Sequence, residues 1–273
     1  MSLPRVAVIQ FPGSNCEYET ARAAELSGLS ARVVRWNRAG GLAGECDACI
    51  LPGGFSFQDR IRAGAVAAKE PVMDAVCEMA ARGMPVLGIC NGAQILVESG
   101  LVPGWSPGRI EASLAANHVP GRSGYLSSWI FVRTGPHATG SPWLCRAPQE
   151  PVPLPVAHAE GRFVLPAGTS LSDLEQRGGV GLVYCRPDGS GAGGFPWNPN
   201  GAGFDLAGVA NPEGNVLAMM PHPERACMLW QVPANLPGPW GDRRRSRSME
   251  AVSRGPGASI FDSLAAYLGV PQG

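Results

Sequence analysis

The sequence predicts an α/β fold with a largely parallel central sheet flanked by helices. In the first hundred residues, short apolar, β-branched runs alternate with amphipathic segments, a pattern typical of parallel strands joined by crossover helices. Each predicted strand stops at a loop rich in Gly, Pro or Asn. The strands predicted in this half are Arg5–Gln10, Ala31–Trp36, Asp47–Leu51 and Pro85–Ile89.

Two helices in this half are indicated by signals at their ends. Ser14, with Glu17 three residues later, has the spacing of a capping box, and Gly28 suits the end of the helix that it opens. A second helix is predicted from Pro71 to Gly83, because its apolar residues fall on one face.

After residue 103 the predicted strands are shorter, and we place them at the sheet edge or in a small subsidiary sheet. They are Trp129–Arg133, Leu154–His158, Gly181–Cys185 and Val216–Met220. A single domain is predicted over residues 1–273, with an exposed insertion at 229–257 and a closing helix near 260–268. The arginine-rich run at 243–247 in that insertion is interpreted as a solvated loop, with a partner-docking surface as the alternative.

The composition narrows the classes of function. The formal net charge of the 273 residues is zero, so the totals give no sign of binding to nucleic acid or to an anionic membrane. The first predicted strand begins almost at once, and no apolar run reaches the roughly 20 residues of a spanning helix, so a cytoplasmic protein is expected. The eight cysteines are therefore expected to be reduced.

The strongest local signal is the segment around Cys90, where a predicted strand runs directly into a helix. Gly88 and Gly92 flank the cysteine in a Gly-x-Cys-x-Gly pattern, which is a cysteine version of the nucleophile elbow. A free thiol is only slightly ionised at neutral pH, so a helix N-terminus and a neighbouring histidine are needed to activate it. The pattern predicts Cys90 as a nucleophile, with a buried structural cysteine as the alternative.

The second signal is Pro221-His222-Pro223-Glu224, which follows a predicted strand. Sites in open α/β sheets form beyond the carboxyl ends of strands, so His222 can serve Cys90 as general base. Glu224 would hold the imidazole in the required tautomer. The two motifs together predict a Cys-His-Glu triad.

A third loop, Pro52-Gly53-Gly54-Phe55, also follows a strand. Its glycines allow backbone N–H groups to approach a developing oxyanion, and the N–H groups of Gly54 and Asn91 are predicted to form the oxyanion hole.

With these motifs the chain resembles the class I, triad-type glutamine amidotransferases, and most closely the glutaminase subunits of phosphoribosylformylglycinamidine synthase. The segments that carry the resemblance are 11–16, 52–56, 62–64, 90–94, 158–161, 198–201 and 220–225. The resemblance implies a flavodoxin-like domain in which Cys90, His222 and Glu224 form the triad. It also implies that Gln94 lies near bound glutamine, with Gly53, Gly54 and Asn91.

The resemblance further implies hydrolysis of glutamine to glutamate and ammonia, with no metal or organic cofactor in this chain. A partner synthetase would take the ammonia and would bind ATP, magnesium and formylglycinamide ribonucleotide, and a small third subunit is a possible further partner. Two alternatives stay open: a glutaminase serving a synthetase of guanylate, carbamoyl phosphate or anthranilate, and a stand-alone cysteine hydrolase. The flanking segments 11–16 and 198–201 favour a glutaminase subunit of phosphoribosylformylglycinamidine synthase over one that serves another synthetase.

Other candidates carry weaker signals. His158 and Glu160 end a predicted strand and are expected to line the site entrance or a partner interface, or to form a structural pair. Cys46 and Cys49 have a redox or zinc spacing, but no second pair follows, so a structural role is predicted. Cys16 is expected to be inert, because no histidine lies near it in the sequence.

Overall fold

The computed structural model describes residues 2–38, 41–106, 108–246 and 253–271. Its main feature is a sheet of nine strands. In spatial order these are β2 (Ser30–Arg35), β1 (Arg5–Gln10), β3 (Ala48–Leu51), β4 (Val86–Ile89), β11 (Val216–Met219), β10 (Leu206–Ala210), β9 (Val180–Cys185), β6 (Leu126–Thr134) and β7 (Val152–His158).

The first five strands in this order are parallel, in the doubly wound arrangement of flavodoxin-like folds, and the remaining neighbours are antiparallel. Every residue of β3, β4 and β11 is buried. Burial on both faces explains why these strands are continuous apolar runs rather than alternating ones. The predicted α/β fold class is confirmed.

The helices of the described residues are α1 (Glu17–Leu26), α2 (Leu42–Glu45), α3 (Val72–Ala81), α4 (Asn91–Glu98), α5 (Leu171–Gln176), α6 (Pro239–Ser246) and α7 (Ala258–Tyr267). Both predicted helices of the first half are present, and each is followed by its predicted glycine in a left-handed conformation, Gly28 and Gly83. None of the helices in the described part of the chain is long and apolar enough to cross a membrane.

The predicted capping box at Ser14 is wrong. Helix α1 begins after Cys16 without a side-chain cap, and Ser14 Oγ instead accepts a hydrogen bond from the Phe11 N–H at 3.0 Å. Ser14 forms an isolated bridge with Gly54, so tertiary pairing of two loops determines its conformation. Glu17 turns back to accept a hydrogen bond from Gln10 at 2.7 Å.

The placement of the second-half strands was wrong in two respects. β11 lies in the middle of the main sheet beside β4, not at an edge. The subsidiary sheet exists but consists of β5 (Ser113–Ala115) and β8 (Arg162–Val164), neither of which was predicted. β10 was also missed, because a strand of small residues interrupted by glycine gives a weak β signal.

The described part of the predicted insertion is partly exposed and partly buried. Leu229, Val232 and Leu236 are buried and pack with Phe131 and Cys185 in a second apolar cluster. The arginine run lies largely on α6, where Arg243 pairs with Glu150 at 3.0 Å and stacks on Trp240. The run is thus helical rather than a loop, with Arg243 and Arg245 exposed, and Arg247 lies outside the described residues.

Candidate active site

Four parallel, adjacent strands deliver their carboxyl ends to one edge of the sheet: β1, β3, β4 and β11. The loops that leave this edge carry the three motifs singled out from the sequence. Ile89 of β4 is paired with Met219 of β11, so Cys90 and His222 leave neighbouring strands side by side. The backbone N–H of His222 donates to Pro155 O at 2.8 Å, which fixes its turn against β7.

The turn at Cys90 has the geometry that the glycine pattern predicts. Cys90 has φ 52° and ψ −104°, a conformation disfavoured for a residue with a side chain, between the end of β4 and the start of α4. Its N–H donates to Met219 O at 2.8 Å. A Cβ on Gly92 would lie 1.9 Å from Leu51 O, and one on Gly88 would lie 2.5 Å from Gly92 O. The turn is therefore incompatible with larger residues at both flanking positions.

His222 and Glu224 form a buried pair. Nδ1 of His222 lies 2.6 Å from Oε1 of Glu224, and the side chains are 3% and 0% exposed. A carboxylate only accepts, so Nδ1 carries the proton and Nε2 of the neutral ring is left as the base. Nε2 is buried and has no hydrogen-bond partner among the described residues.

The electrostatics favour a charged imidazole. Burial alone would lower the pKa of His222, but the Glu224 carboxylate and the Cys90 thiolate hold that pKa well above its ordinary value of 6.5. A protonated imidazole beside a cysteine is the arrangement with which cysteine enzymes activate the sulfur.

A second thiol, that of Cys16, lies beside this histidine, although no histidine is near Cys16 in the sequence. Its Sγ lies 3.9 Å from Nδ1 of His222 and accepts a hydrogen bond from Arg225 Nη2 at 3.2 Å. Burial raises the pKa of Cys16 to about 11, so this thiol stays protonated. Cys16, His222 and Glu224 are close enough to hold a metal ion, but the Arg225 guanidinium beside Cys16 opposes a cation.

The predicted oxyanion donors are available at this edge. Asn91 is the first residue of α4, so its N–H has no intrahelical acceptor. The N–H of Gly54 donates to no described residue. The two hydrogen bonds that flank the Ser14–Gly54 bridge are donated instead by the N–H groups of Phe55 and Asn15. A Cβ on Gly53 would lie 2.6 Å from His222 Cε1, so this glycine gives the imidazole its space.

Gln94 and Glu160 meet in the wall of the site. Gln94 Nε2 donates to the backbone carbonyl of Glu160 at 2.8 Å, and its Oε1 accepts from Asn91 Nδ2 at 2.9 Å. Both residues line a cavity that also contains Cys90. The cavity is lined by Gly54, Phe55, Asp59, Ala63, Cys90, Gln94, Tyr125, Ala157, His158, Ala159 and Glu160.

His158 is buried in the wall of this cavity. It is 3% exposed, and burial followed by the nearby charge of His222 lowers its pKa to about 4. It is therefore neutral at physiological pH. The carbonyl of its neighbour Ala157 accepts a hydrogen bond from the Cys90 thiol at 3.6 Å. Glu160 also lines the cavity, and its backbone carbonyl accepts the hydrogen bond from Gln94.

Asn117 was missed by the sequence reasoning, although it organises this wall. Its Nδ2 donates to the carbonyls of His158 at 2.9 Å and Gly124 at 3.1 Å. Its Oδ1 accepts from the Gly161 N–H at 3.2 Å and lies 3.0 Å from His158 Nδ1. Its own N–H donates to Ala159 O at 2.8 Å. One buried side chain thus ties the segment behind the cavity to the loop that carries Tyr125.

Asp59 is a second residue that the sequence reasoning did not single out. It lines the cavity, and burial followed by the charge of Glu160 raises its pKa to about 6. Two carboxylates at one cavity wall form an acidic region within reach of a ligand held at Cys90. The sequence signals near this residue were the segments 52–56 and 62–64 on either side of it.

The remaining candidates lie outside the site. All eight cysteines are free, as expected. Cys46 and Cys49 are buried, and burial raises the pKa of Cys49, consistent with a structural thiol.

The fold and the Cys-His-Glu arrangement are those of a triad-type glutamine amidotransferase. Residues 3–268 match the family model described as the CobB/CobQ-like glutamine amidotransferase domain, and the chain belongs to this family. The family resemblance inferred from the sequence is confirmed.

Named relatives are similar to this chain along most of its length. The chain is 43% identical over 272 residues to the phosphoribosylformylglycinamidine synthase subunit PurQ of Methanothrix thermoacetophila, covering 97% of this chain and 98% of the relative. It is 42% identical to the PurQ subunit of Methanopyrus kandleri, covering 81% and 89%. The solved PurLQS structure from Thermotoga maritima is similar with a TM-score of 0.71 and 29% identity, covering 98% of this chain and 100% of the matched chain.

Proposed function

We propose that this chain is the glutaminase subunit of a phosphoribosylformylglycinamidine synthase. It hydrolyses glutamine to glutamate and ammonia, and a partner synthetase uses the ammonia and ATP to convert formylglycinamide ribonucleotide to formylglycinamidine ribonucleotide in purine biosynthesis. The names of relatives similar along 97% and 81% of the chain support this choice of synthetase over those that make guanylate, carbamoyl phosphate or anthranilate.

The observation that carries the glutaminase assignment is Cys90 in its left-handed turn, beside the buried His222–Glu224 pair. A cysteine at the N-terminus of a helix, next to an imidazole whose pKa is raised, is the arrangement that stabilises a thiolate at neutral pH. Cys90, His222 and Glu224 therefore act as nucleophile, acid–base and orienting carboxylate.

In the first half of the reaction, the Cys90 thiolate attacks the side-chain carbonyl carbon of glutamine. The negative charge that develops on the carbonyl oxygen is stabilised by the N–H groups of Gly54 and Asn91. As the tetrahedral intermediate collapses, the bond to nitrogen breaks. His222 donates its Nε2 proton to the departing amide nitrogen, which leaves as ammonia.

In the second half, the neutral His222 takes a proton from water, which attacks the γ-glutamyl thioester. The carbon–sulfur bond breaks, glutamate leaves and the thiolate–imidazolium pair is restored. Glu224 remains an acceptor for the Nδ1 proton in both halves. These steps require no metal or organic cofactor.

The glutamine site lies in the cavity beside Cys90. Gln94, held between Asn91 and the Glu160 carbonyl, presents a fixed amide to the substrate. Gly53 allows the imidazole to sit against the loop after β3. His158 stabilises the cavity wall from behind, and Glu160 contributes to its acidic side.

The partner subunits are part of the same proposal. Ammonia released into water would be protonated and lost as a nucleophile, so a docked synthetase receives it directly. That synthetase binds ATP, magnesium and the ribonucleotide. A small third subunit completes the assembly, which acts in the cytoplasm. The similarity to the PurLQS structure supports such an assembly.

The test combines the chain with its candidate synthetase, formylglycinamide ribonucleotide and magnesium ATP. Product formation is measured with glutamine and with ammonium as nitrogen source, for wild type and Cys90→Ala. The proposal predicts that Cys90→Ala loses glutamine-driven product and keeps ammonium-driven product. If the synthetase works with ammonium but wild-type chain never supports glutamine, the choice of partner is refuted.

A further inference from the structure

Arg225 is a cation next to the buried His222–Glu224 pair, yet it does not pair with Glu224. Its Nε donates to Glu19 Oε1 at 2.8 Å, and its Nη2 donates to Cys16 Sγ at 3.2 Å. In the described part of the chain its ion-pair partner is Glu19, and Glu224 is paired only with His222. Burial would lower the pKa of Arg225, but the hydrogen bond to Glu19 raises it, and the charge of Glu224 adds to the rise. The arginine and Glu224 therefore attract each other without meeting.

Glu224 has an acceptor that this arginine would satisfy. Its Oε1 lies 2.6 Å from His222 Nδ1, whereas its Oε2 is buried and has no hydrogen-bond partner among the described residues. Hydrogen bonds between a guanidinium and a carboxylate are charge-assisted and stronger than neutral ones. A direct bond from Arg225 to Glu224 would thus be favourable in itself, but it would place a positive charge on the carboxylate that serves His222.

The Cys16 thiol contacts both the arginine and the buried pair. Its sulfur accepts from Arg225 and lies 3.9 Å from His222 Nδ1. One ligand atom from each of Cys16, His222 and Glu224 can be chosen so that all three lie within 4.8 Å of one another. Cys16 is 2% exposed. The sulfur therefore occupies buried space that the guanidinium would need in order to approach Glu224.

The backbone fixes the position of this thiol. The N–H of Cys16 donates to Gly53 O at 3.2 Å, and its carbonyl accepts from the Thr20 N–H at 2.9 Å. A Cβ on Gly53 would lie 3.1 Å from the sulfur. Burial raises the pKa of Cys16 to about 11, so the thiol is neutral. A fixed neutral group at this position separates two opposite charges without adding a third.

We propose that Cys16 is a positioning residue whose thiol holds the Arg225 guanidinium away from Glu224, so that the carboxylate serves His222 alone. Glu19 holds the outer end of the same guanidinium. The inference rests on the proposed function, in which His222 assists Cys90. Without the thiol, the Nη2 group loses its acceptor and turns to Glu224 Oε2, because an N–H group left without an acceptor inside a protein is unfavourable.

This rearrangement would change the charge that acts on His222. Burial lowers the pKa of His222 and the Glu224 carboxylate raises it, so a guanidinium bound to that carboxylate would let the pKa fall. A less protonated imidazole activates the nucleophile less well at acidic pH. The other titratable groups that act on His222 or Glu224 are the same in every variant of the test: Cys90, Tyr125, His158 and Cys227.

The test uses variants that remove or keep the separating group. Cys16→Ala removes the sulfur, and Cys16→Ser keeps an acceptor for Arg225. Arg225→Met removes the guanidinium, both alone and in combination with Cys16→Ala. Glu19→Gln releases the outer end of Arg225 at a site where both side chains are partly exposed, so it tests the inference even if Cys16→Ala does not fold. Cys185→Ala is the matched control, because it removes a thiol that is 0% exposed in β9.

Two quantities are measured for each variant. The first is the rate at which iodoacetamide alkylates the peptide containing Cys90, followed by mass spectrometry from about pH 5 to 9. The second is glutamate release by the complex with the synthetase, resolved into kcat and KM for glutamine. A loss of packing alone would lower stability without moving the pH profile, so the profile separates positioning from a structural role.

Cys16→Ala is expected to move the midpoint of the alkylation profile up by about 1 pH unit. Its kcat should fall by up to about tenfold while KM stays the same, because no contact of the glutamine cavity is changed. Glu19→Gln should move the profile in the same direction by a smaller amount. Cys16→Ser, Arg225→Met and Cys185→Ala should keep the wild-type profile, and adding Arg225→Met to Cys16→Ala should restore it.

A wild-type profile in folded Cys16→Ala would overturn the inference, as would a shift that persists when Arg225→Met is added. If Cys16→Ala does not fold, a wild-type profile in Glu19→Gln would overturn it. None of these results affects the proposed function. Failure of the wild-type chain to support glutamine-driven product would refute the proposed function, whatever the alkylation profiles are.

Discussion

Cys16 Sγ lies 3.9 Å from Nδ1 of His222, although the two residues are 206 positions apart in the chain. The histidine is thus approached by two thiols, and the structure distinguishes them. Cys90 stands in a left-handed turn at a helix N-terminus and lines the cavity. Cys16 lies outside that lining, and burial raises its pKa to about 11. Only Cys90 has both the turn at a helix N-terminus and access to substrate.

Replacing Glu224 should weaken the thiolate–imidazolium pair. In Glu224→Gln the negative charge that helps raise the pKa of His222 is lost, so that pKa falls and less thiolate forms near neutral pH. We expect glutaminase activity to drop by about 10²–10⁴-fold. In this variant the rate at which iodoacetamide alkylates Cys90, measured from about pH 5 to 9, should fall at the acidic end. An unchanged alkylation profile would refute the role of Glu224.

The same coupling has a consequence for stability. The pKa of His222 is higher in the folded state than its ordinary value, so its contribution to folding is full below about pH 6.5 and is lost as pH rises through the folded pKa. In urea unfolding, the free energy of unfolding of wild type should therefore decrease relative to that of Glu224→Gln as the pH rises above neutrality.

Enlarging Gly53 should displace the imidazole. A Cβ at this position would lie 2.6 Å from His222 Cε1 and 3.1 Å from Cys16 Sγ, so Gly53→Ala forces the ring to move. We expect kcat/KM for glutamine to fall by about 10²-fold, since such displacements misalign the base. Gly44→Ala is the control, because its added Cβ meets nothing within 4 Å. Equal activity of the two variants would contradict the assigned packing.

Removing the Asn117 side chain should loosen the cavity wall. Asn117→Ala leaves the His158 and Gly124 carbonyls without their donor, at a cost of about 1–3 kcal/mol in the free energy of unfolding. KM for glutamine should rise while the alkylation rate of Cys90 stays the same. Asn211→Ala removes a similarly bonded buried amide outside the site and should lower stability without changing KM. A wild-type KM in Asn117→Ala would refute the positioning role.

Asp59 should make glutamine binding depend on pH. Its pKa is raised to about 6, so the charged form that can pair with the ammonium group of glutamine appears as pH rises through that value. KM should fall between about pH 5 and 7 in wild type and stay flat in Asp59→Asn. By linkage, the stabilisation that accompanies the raised pKa is full below pH 3.8 and is lost as the pH rises through 6. Asp59→Asn should therefore gain stability relative to wild type above pH 6. A pH-dependent KM in the variant would contradict this assignment.

Much of this site follows from local sequence patterns, because its motifs lie where strands end. The turn at Cys90 depends on glycines that are adjacent in the sequence, and His222 and Glu224 are two residues apart. The α/β alternation of the first hundred residues likewise predicts β1, β3 and β4 from short-range signals. Such features depend on neighbours along the chain, so periodicity and turn chemistry are sufficient to find them.

The features that the sequence did not reveal depend on long-range contacts. Ser14 has a capping spacing but pairs with Gly54, which no local rule predicts. Cys16 meets His222 only because β1 and β11 deliver their loops to the same edge. Asn117 lies 41 residues from His158, in a segment without periodicity. The helix at 239–246 is polar enough to resemble a loop in sequence, and only Gly241 within it is buried.

The central claim, that Cys90 and not Cys16 is the nucleophile, is tested most directly by trapping the acyl-enzyme. The complex with its synthetase is supplied with glutamine, quenched in acid during turnover, digested and analysed by mass spectrometry. A γ-glutamyl group on the peptide containing Cys90, absent in Cys90→Ala and unaffected by Cys16→Ser, is the predicted result. A γ-glutamyl group on the Cys16 peptide, or one that persists in Cys90→Ala, would contradict the account.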